Sequence, residues 1–213
     1  MARIRDRVGD VWRTVREFFQ DQWFDRTRRV RTSGNVTLQT AGLAENQIGD
    51  STMYQPARPA HIRQALRQIP GKDMSAYSYV DLGSGKGRTL FVAAELPFRQ
   101  IIGVEFTEAL HAQACANIRS FRRRRSGGPI ASLHLNAKEF VFPDGPIVLY
   151  MFNPFGAATM AEVLGNLERS LERAPRHVIV VLLWPKCEEQ VARVPGMRLR
   201  HRTERLQIFE TGS

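Results

Sequence analysis

A glycine-rich bend between an apolar run and a helical pattern constrains this chain more than any other stretch. The segment 78–96 reads "SYVDLGSGKGRTLFVAAEL" and places Gly83, Gly85 and Gly87 directly after the apolar run. Glycines permit positive φ and let bare backbone approach a ligand, and the helix that follows offers free N–H groups at its N-terminus. In doubly wound sheets, ligands bind beyond the carboxyl ends of the strands. The bend is therefore predicted to hold a nucleotide-like ligand.

Strand-like and helix-like segments alternate from residue 77 onwards. This alternation predicts parallel βαβ units, and the continuously apolar runs at 147–152 and 178–184 predict central strands covered on both faces. Two strand candidates at 197–202 and 205–211 predict a closing antiparallel hairpin. The predicted fold class is α/β: a doubly wound, mostly parallel seven-stranded sheet with a C-terminal antiparallel hairpin and an N-terminal helical extension.

The N-terminal extension has two parts. Residues 1–30 carry apolar side chains at spacings of three and four, from Ile4 to Trp23, which predicts one amphipathic helix. Two interpretations stay open: the helix packs on the main domain, or it binds a membrane surface or a partner. Residues 31–57 lack periodicity and are predicted to form a long, lid-like connection. We therefore expect a helix and lid-like segment in 1–57 and a ligand-binding domain in 58–213.

Charge and cysteine content limit the possible environments. The chain of 213 residues has a net charge of +10, which is typical of a nucleic-acid or anionic-membrane partner or of an arginine-rich solvated surface. Cys115 and Cys187 lie far apart in sequence, so we expect neither a disulfide framework nor a zinc or other metal site. No apolar run is long enough to cross a bilayer, and the charged start lacks a signal-peptide core. A cytoplasmic location is predicted.

Three ligands compete for the glycine bend. A phosphate-binding P-loop is excluded because Val80 stands where its first glycine belongs and Gly87 follows Lys86. A dinucleotide would favour the spacing G-x-G-x-x-G, whereas this chain has G-x-G-x-G. Asp81 would repel a pyrophosphate but suits the ammonium of S-adenosylmethionine (SAM), and Glu105 can accept both ribose hydroxyls. SAM is therefore the predicted cofactor.

The same residues resemble a known superfamily. "VDLGSGKG" looks like the first motif, and "GVEF" like the second, of the class I, seven-stranded SAM-dependent methyltransferases. The resemblance implies that SAM binds in 58–213, at the residues Asp81, Gly83, Ser84, Gly85, Gly87, Glu105 and Phe106. By the same resemblance, Asn136 would accept from the adenine amino group, and the backbone of Ala137 would meet a ring nitrogen.

A second motif indicates the acceptor. Asn153-Pro154-Phe155 resembles the Asn/Asp-Pro-Pro-Tyr/Phe motif of amine and amide N-methyltransferases, with one proline missing. In that family, the side-chain oxygen and the first proline's carbonyl accept hydrogen bonds from the nucleophilic N–H₂ group. The aromatic ring packs on the target. Asn153, Pro154 and Phe155 are therefore predicted to be catalytic residues.

The predicted activity is methyl transfer from SAM to nitrogen. Tyr54 stands in "STMYQP", which resembles the "GxxYxP" arrangement of a lysine-methylating branch of the superfamily, where the tyrosine would reach over the cofactor or the target amine. That resemblance implies a protein lysine, or another amine, as acceptor. The alternatives are an RNA or DNA base methyltransferase, a small-molecule methyltransferase, and a SAM-binding or partner-binding module without catalysis. The oligomeric state, the acceptor and the number of methyl groups stay open.

Overall fold

Two continuously apolar strands form the middle of a seven-stranded sheet. The computed structural model describes residues 19–37, 53–69, 73–122, 126–153 and 155–212. The sheet consists of strands β3 (Ser78–Leu82), β4 (Gln100–Glu105), β5 (Ile130–His134), β6 (Ile147–Phe152), β7 (Val178–Leu183), β8 (Met197–Arg202) and β9 (Leu206–Thr211). Their spatial order is β5-β4-β3-β6-β7-β9-β8. The predicted fold class is confirmed.

Strand directions explain where a ligand can bind. Strands β3 to β7 pair in parallel, whereas β9 pairs antiparallel with both β7 and β8. From β3 the chain proceeds outwards through β4 to β5, then returns to lie on the other side of β3 as β6. This reversal opens a crevice at the carboxyl ends of β3 and β6. The antiparallel hairpin that the sequence predicted closes the other edge.

Helices cover both faces of this sheet. They are α1 (residues 19–28), α2 (Pro59–Arg67), α3 (Arg88–Ala93), α4 (Glu108–Ser120), α5 (Ala157–Arg173) and α6 (Glu188–Arg193), with 3₁₀ turns at Met74–Ala76 and Ala137–Glu139. On one face the core joins α1, α2 and α3 to β3 and β6, and on the other it includes α5 and α6. No helix within the described ranges combines the length and apolarity needed to cross a membrane.

The N-terminal helix buries a different face from the one that its apolar stripe predicted. Phe19 and Trp23 are 65% and 66% exposed, whereas Phe24 and Arg28 are 2% and 1% exposed. The Arg28 guanidinium lies 4.0 Å above the Phe24 ring and donates to Glu95 at 2.5 Å. Ion pairing and ring contact therefore make a charged face the buried one. The stripe residues before Phe19 lie outside the described residues.

The predicted lid-like segment is described only at its two ends. Short strands β1 (Val36–Thr37) and β2 (Met53–Tyr54) pair antiparallel, although the sequence predicted no strands there. Residues 19–37 pack into the main core through Phe24 and Val30. A domain boundary at residue 57 stays a prediction.

The third strand of the domain begins and ends earlier than its sequence predicted. The segment "SLHLNA" at 132–137 predicts a strand by its sequence, but β5 spans Ile130–His134. Asn136 instead caps the 3₁₀ turn, because its Oδ1 accepts from the Lys138 N–H at 3.1 Å. An asparagine that bonds its own backbone two residues on favours a turn over a strand.

Candidate active site

The glycine bend is a loop held against β4. Gly83, Gly85 and Gly87 have φ values of 81°, 53° and 84°, a region that side chains other than glycine rarely adopt. The N–H groups of Gly83 and Ser84 both donate to the Val104 carbonyl, at 2.9 and 3.0 Å. The loop therefore takes its shape from the neighbouring strand before any ligand binds.

Glu105 at the end of β4 also holds this loop in place through a hydrogen bond. Its Oε2 accepts from the Gly85 N–H at 2.8 Å, and its Oε1 accepts from the Thr107 N–H at 2.9 Å. The side chain is 4% exposed, and this burial is the main reason that its pKa is raised. A carboxylate offers about four acceptor positions, so each oxygen of Glu105 keeps one for a ligand hydroxyl.

Asp81 at the end of β3 is the second acid of the site. It is 2% exposed, and its Oδ2 accepts from the Thr89 hydroxyl. Burial raises the pKa of Asp81 to about 7, the Thr89 hydrogen bond opposes this rise, and the charge of Glu105 adds to it. Near neutral pH this carboxyl therefore changes charge readily when a cation approaches.

The Tyr54 ring packs against the bend at Gly85. Its hydroxyl donates to the Thr32 carbonyl at 2.9 Å, and its ring lies 5.0 Å from the Lys86 Nζ. Burial raises the pKa of Tyr54 far above its usual value. Its hydroxyl is committed to the protein, so the ring is the part of Tyr54 that faces a ligand.

Residues 32–34 form a strap across the bend, and buried polar side chains hold it. Arg88, which is 2% exposed, donates to the Thr32 and Ser33 hydroxyls at 2.7 and 2.8 Å. Asp25 accepts from the N–H groups of the same two residues, both at 2.8 Å. Lys86 donates to the Ser33 carbonyl at 2.9 Å. The lysine of the bend thus binds protein backbone, which agrees with the exclusion of a P-loop.

Two residues with left-handed backbone lie across the cavity from the bend. Asn153 and Trp184 directly follow the neighbouring strands β6 and β7, and their φ values are 41° and 50°. Left-handed backbone is costly outside glycine, above all for a bulky ring, and such strain clusters at functional sites. Phe155 lies beside them, and Pro154 lies outside the described residues. The asparagine and the aromatic ring of the predicted motif thus meet at one corner.

A cavity joins the bend to this corner. Its volume is about 520 Å³, within the range of small-molecule sites. Its walls consist of Tyr54, Gln55, Pro56, Ala57, Asp81, Gly83, Ser84, Arg88, Thr89, Glu105, Phe106, Leu110, Tyr150, Phe152, Asn153, Phe155, Gly156, Ala157, Trp184, Lys186 and Cys187. Two buried hydroxyls in these walls, on Ser84 and Tyr150, have no hydrogen-bond partner among the described residues.

Comparison with known proteins identifies the architecture. No protein-family model matches the chain, and no curated protein sequence matches it. Among solved structures, the protein yhhF from Escherichia coli matches at a TM-score of 0.53 and 15% identity, over 78% of this chain and 96% of that one. Magnesium protoporphyrin IX methyltransferase from Synechocystis, solved with SAM, matches at 0.51 and 14%, over 92% and 94%. A ribosomal protein L11 methylase from Lactobacillus delbrueckii matches at 0.51 and 15%, over 75% and 80%.

The chain has the class I SAM-dependent methyltransferase fold. In this fold the crevice beyond β3 and β6 is where a ligand binds, and the residues there fit SAM chemically. Asp81 suits an ammonium, Glu105 keeps acceptors for a ribose diol, and the Ser84 and Tyr150 hydroxyls lack partners among the residues described.

Some predicted residues of the methyltransferase fold lie elsewhere. Gly85 is covered by Tyr54, and Gly87 caps α3; neither belongs to the cavity walls. Asn136 is exposed and Ala137 is buried, both outside the walls. Their roles toward adenine stay predictions.

Trp184 and Tyr150 are among the wall residues that sequence reasoning missed. Trp184 follows an apolar strand just as Asn153 does, so its position was a usable signal. Tyr150 faces the same side of the sheet as Asp81 because the two are register partners, which no local pattern reveals.

Proposed function

We propose that this protein is a SAM-dependent methyltransferase that methylates nitrogen, with the amine of a protein lysine as first candidate acceptor. The observation that carries the proposal is one cavity with two chemically different ends. Asp81 and Glu105 come from β3 and β4, whereas Asn153 and Phe155 follow β6, which lies on the other side of β3 from β4. Bound SAM would supply an activated methyl group between these ends.

The residues of the chain would position the acceptor. The Asn153 side-chain oxygen would accept a hydrogen bond from the acceptor N–H, which turns the nitrogen lone pair toward the cavity. Phe155, Phe152 and Trp184 would pack on the target group and exclude water. Much of the rate gain in such a transfer comes from orientation. No histidine lines the described walls, so a lysine ammonium would lose its proton to solvent before the amine enters the cavity.

A second candidate acceptor is a nucleic-acid base. Lys186 lines the cavity, and the Arg205 guanidinium lies 4.9 Å from the centre of the Trp184 ring. These cations oppose a lysine ammonium but favour a phosphate. Exposed Arg198, Arg200 and Arg202 on β8 extend the positive charge. We propose that the protein is cytoplasmic, whichever acceptor it methylates.

The test is transfer of a labelled methyl group from SAM to a cell lysate. Label is expected in protein, and label in RNA, DNA or small molecules would favour the alternatives. Asn153→Ala is expected to lower transfer about 100-fold with little change in S-adenosylhomocysteine affinity. Asn166→Ala on α5, outside the cavity walls, is the matched control. Binding of S-adenosylhomocysteine without any transfer would favour a non-catalytic module, and absence of binding would refute the proposal.

A further inference from the structure

The Tyr150 hydroxyl is a buried polar group that the fold leaves unsatisfied. Its side chain is fully buried in the middle of β6, and its hydroxyl has no hydrogen-bond partner among the described residues. Leaving a buried hydroxyl unpaired costs free energy that a phenylalanine would not incur. Because Tyr150 also lines the cavity, a ligand bound there can supply the missing hydrogen bond.

The position of Tyr150 identifies which part of a ligand it meets. Tyr150 is the register partner of Asp81 on the adjacent parallel strand, so both side chains leave the sheet on the same face. The two therefore lie side by side on the floor of the cavity. Glu105, which suits a ribose, lies on the far side of β3 from Tyr150.

The chemistry of this pair suits an amino-acid zwitterion. Asp81 can accept from the ammonium group and already accepts from the Thr89 hydroxyl. It cannot bind a carboxylate while ionised, since the two negative charges repel. The Tyr150 hydroxyl can donate to that carboxylate, and a hydrogen bond to a charged acceptor is stronger than one between neutral groups.

We propose that the Tyr150 hydroxyl binds the carboxylate of the methionine portion of SAM and is a specificity-determining residue for that end of the cofactor. This inference rests on the proposed function. It concerns binding of the cofactor and is independent of which acceptor is methylated.

The test compares Tyr150→Phe with the wild type on two ligands that differ by the carboxylate alone, SAM and decarboxylated SAM. Calorimetry is expected to show a SAM dissociation constant raised roughly 10- to 100-fold in the variant. The constant for decarboxylated SAM is expected to change less than about twofold, because no charged hydrogen bond is lost.

The chain offers a matched control at Tyr79. Tyr79 is equally buried on β3, its ring centre is 6.0 Å from that of Tyr150, and it does not line the cavity. Tyr79→Phe is expected to leave both dissociation constants unchanged. Tyr150→Phe is expected to keep or raise the melting temperature, because it removes an unpaired hydroxyl and keeps the ring.

The possible outcomes separate this inference from the proposed function. Equal SAM affinity in Tyr150→Phe and wild type, or equal weakening of both ligands, would overturn the inference and leave the proposed function standing. Failure of the wild type to bind SAM would overturn both. The assignment is supported if Tyr150→Phe weakens binding of SAM but not of decarboxylated SAM, and if Tyr79→Phe weakens neither.

Discussion

The Tyr54 ring lies so close to Gly85 that a Cβ on this glycine would be 2.1 Å from the Tyr54 Cε2 atom. A residue from the N-terminal segment thus closes over the bend, and it does so only because the bend lacks a side chain at this point. The Thr32 carbonyl of the strap accepts a hydrogen bond from the Tyr54 hydroxyl, which holds the ring in place.

Gly85→Ala is expected to displace Tyr54 and to weaken S-adenosylhomocysteine binding more than tenfold. The φ of 53° adds strain of about 1–2 kcal/mol to this clash. Gly196→Ala isolates the strain, since Gly196 has a φ of +77° and a Cβ added there would have nothing within 4 Å. Calorimetry should show normal binding for Gly196→Ala. Normal binding by Gly85→Ala would contradict the closure by Tyr54.

Arg88→Met is expected to lower the free energy of unfolding by about 3–5 kcal/mol, because it leaves buried Asp25 and half-buried Asp21 without their cation. The Arg88 guanidinium lies 2.8 Å from Asp21 and 3.8 Å from Asp25. Arg200→Ala is the comparison: Arg200 also pairs with an acid, Glu210, but is 59% exposed, so a loss below about 1 kcal/mol is expected. Urea unfolding measures both, and equal losses would show that burial of Arg88 is unimportant.

The affinity for S-adenosylhomocysteine is expected to rise about tenfold between pH 6 and pH 8, because its ammonium needs an ionised Asp81. The pKa of Asp81 is raised to about 7, so the protonated carboxyl stabilises the ligand-free fold at low pH. That stabilisation of the ligand-free fold is lost as the pH rises through about 7. Over the same range the affinity for S-adenosylhomocysteine increases. Calorimetry at three pH values should show this slope, and Asp81→Asn should bind weakly with no slope. A wild-type affinity that does not vary with pH would be the contrary result.

Glu95→Gln is expected to destabilise the fold at pH 7 and to destabilise it less at pH 3, where part of the stabilisation by Glu95 is already lost. Although burial raises the pKa of Glu95, hydrogen bonds from Arg63 and Arg28 lower it to about 2. Because the pKa of Glu95 is lower in the fold than its usual value of 4.5, the ionised carboxylate stabilises the fold above about pH 4.5. This stabilisation is lost as the pH falls toward 2. The loss at pH 7 is expected to be about 2 kcal/mol. Thermal unfolding at both pH values tests this prediction, with the substitution Glu162→Gln at an exposed position as control. An equal loss of stability at pH 7 and pH 3 would show that the ion pairs of Glu95 do not stabilise the fold.

The strand–helix order and the position of the bend were readable from local sequence. The periodicity of apolar residues and the spacing of the glycines are local properties of the sequence. From them, the positions of Asp81 and Glu105 at the ends of strands were predicted correctly. The N-terminal helix was harder, because its apolar stripe suggested Trp23 as a buried residue. Phe24 and Arg28 are buried instead, through partners far away in the chain such as Glu95.

The sequence by itself determined a doubly wound sheet and the two motifs whose side chains, Asp81 and Asn153, meet at one cavity. Only the tertiary structure decided that Tyr150 stands beside Asp81, that Trp184 shares the corner of Asn153, and that Tyr54 covers Gly85. Each of these relationships joins residues 30 or more positions apart. Such pairs depend on strand register and on which helix face is buried, and both are set by packing of the whole chain.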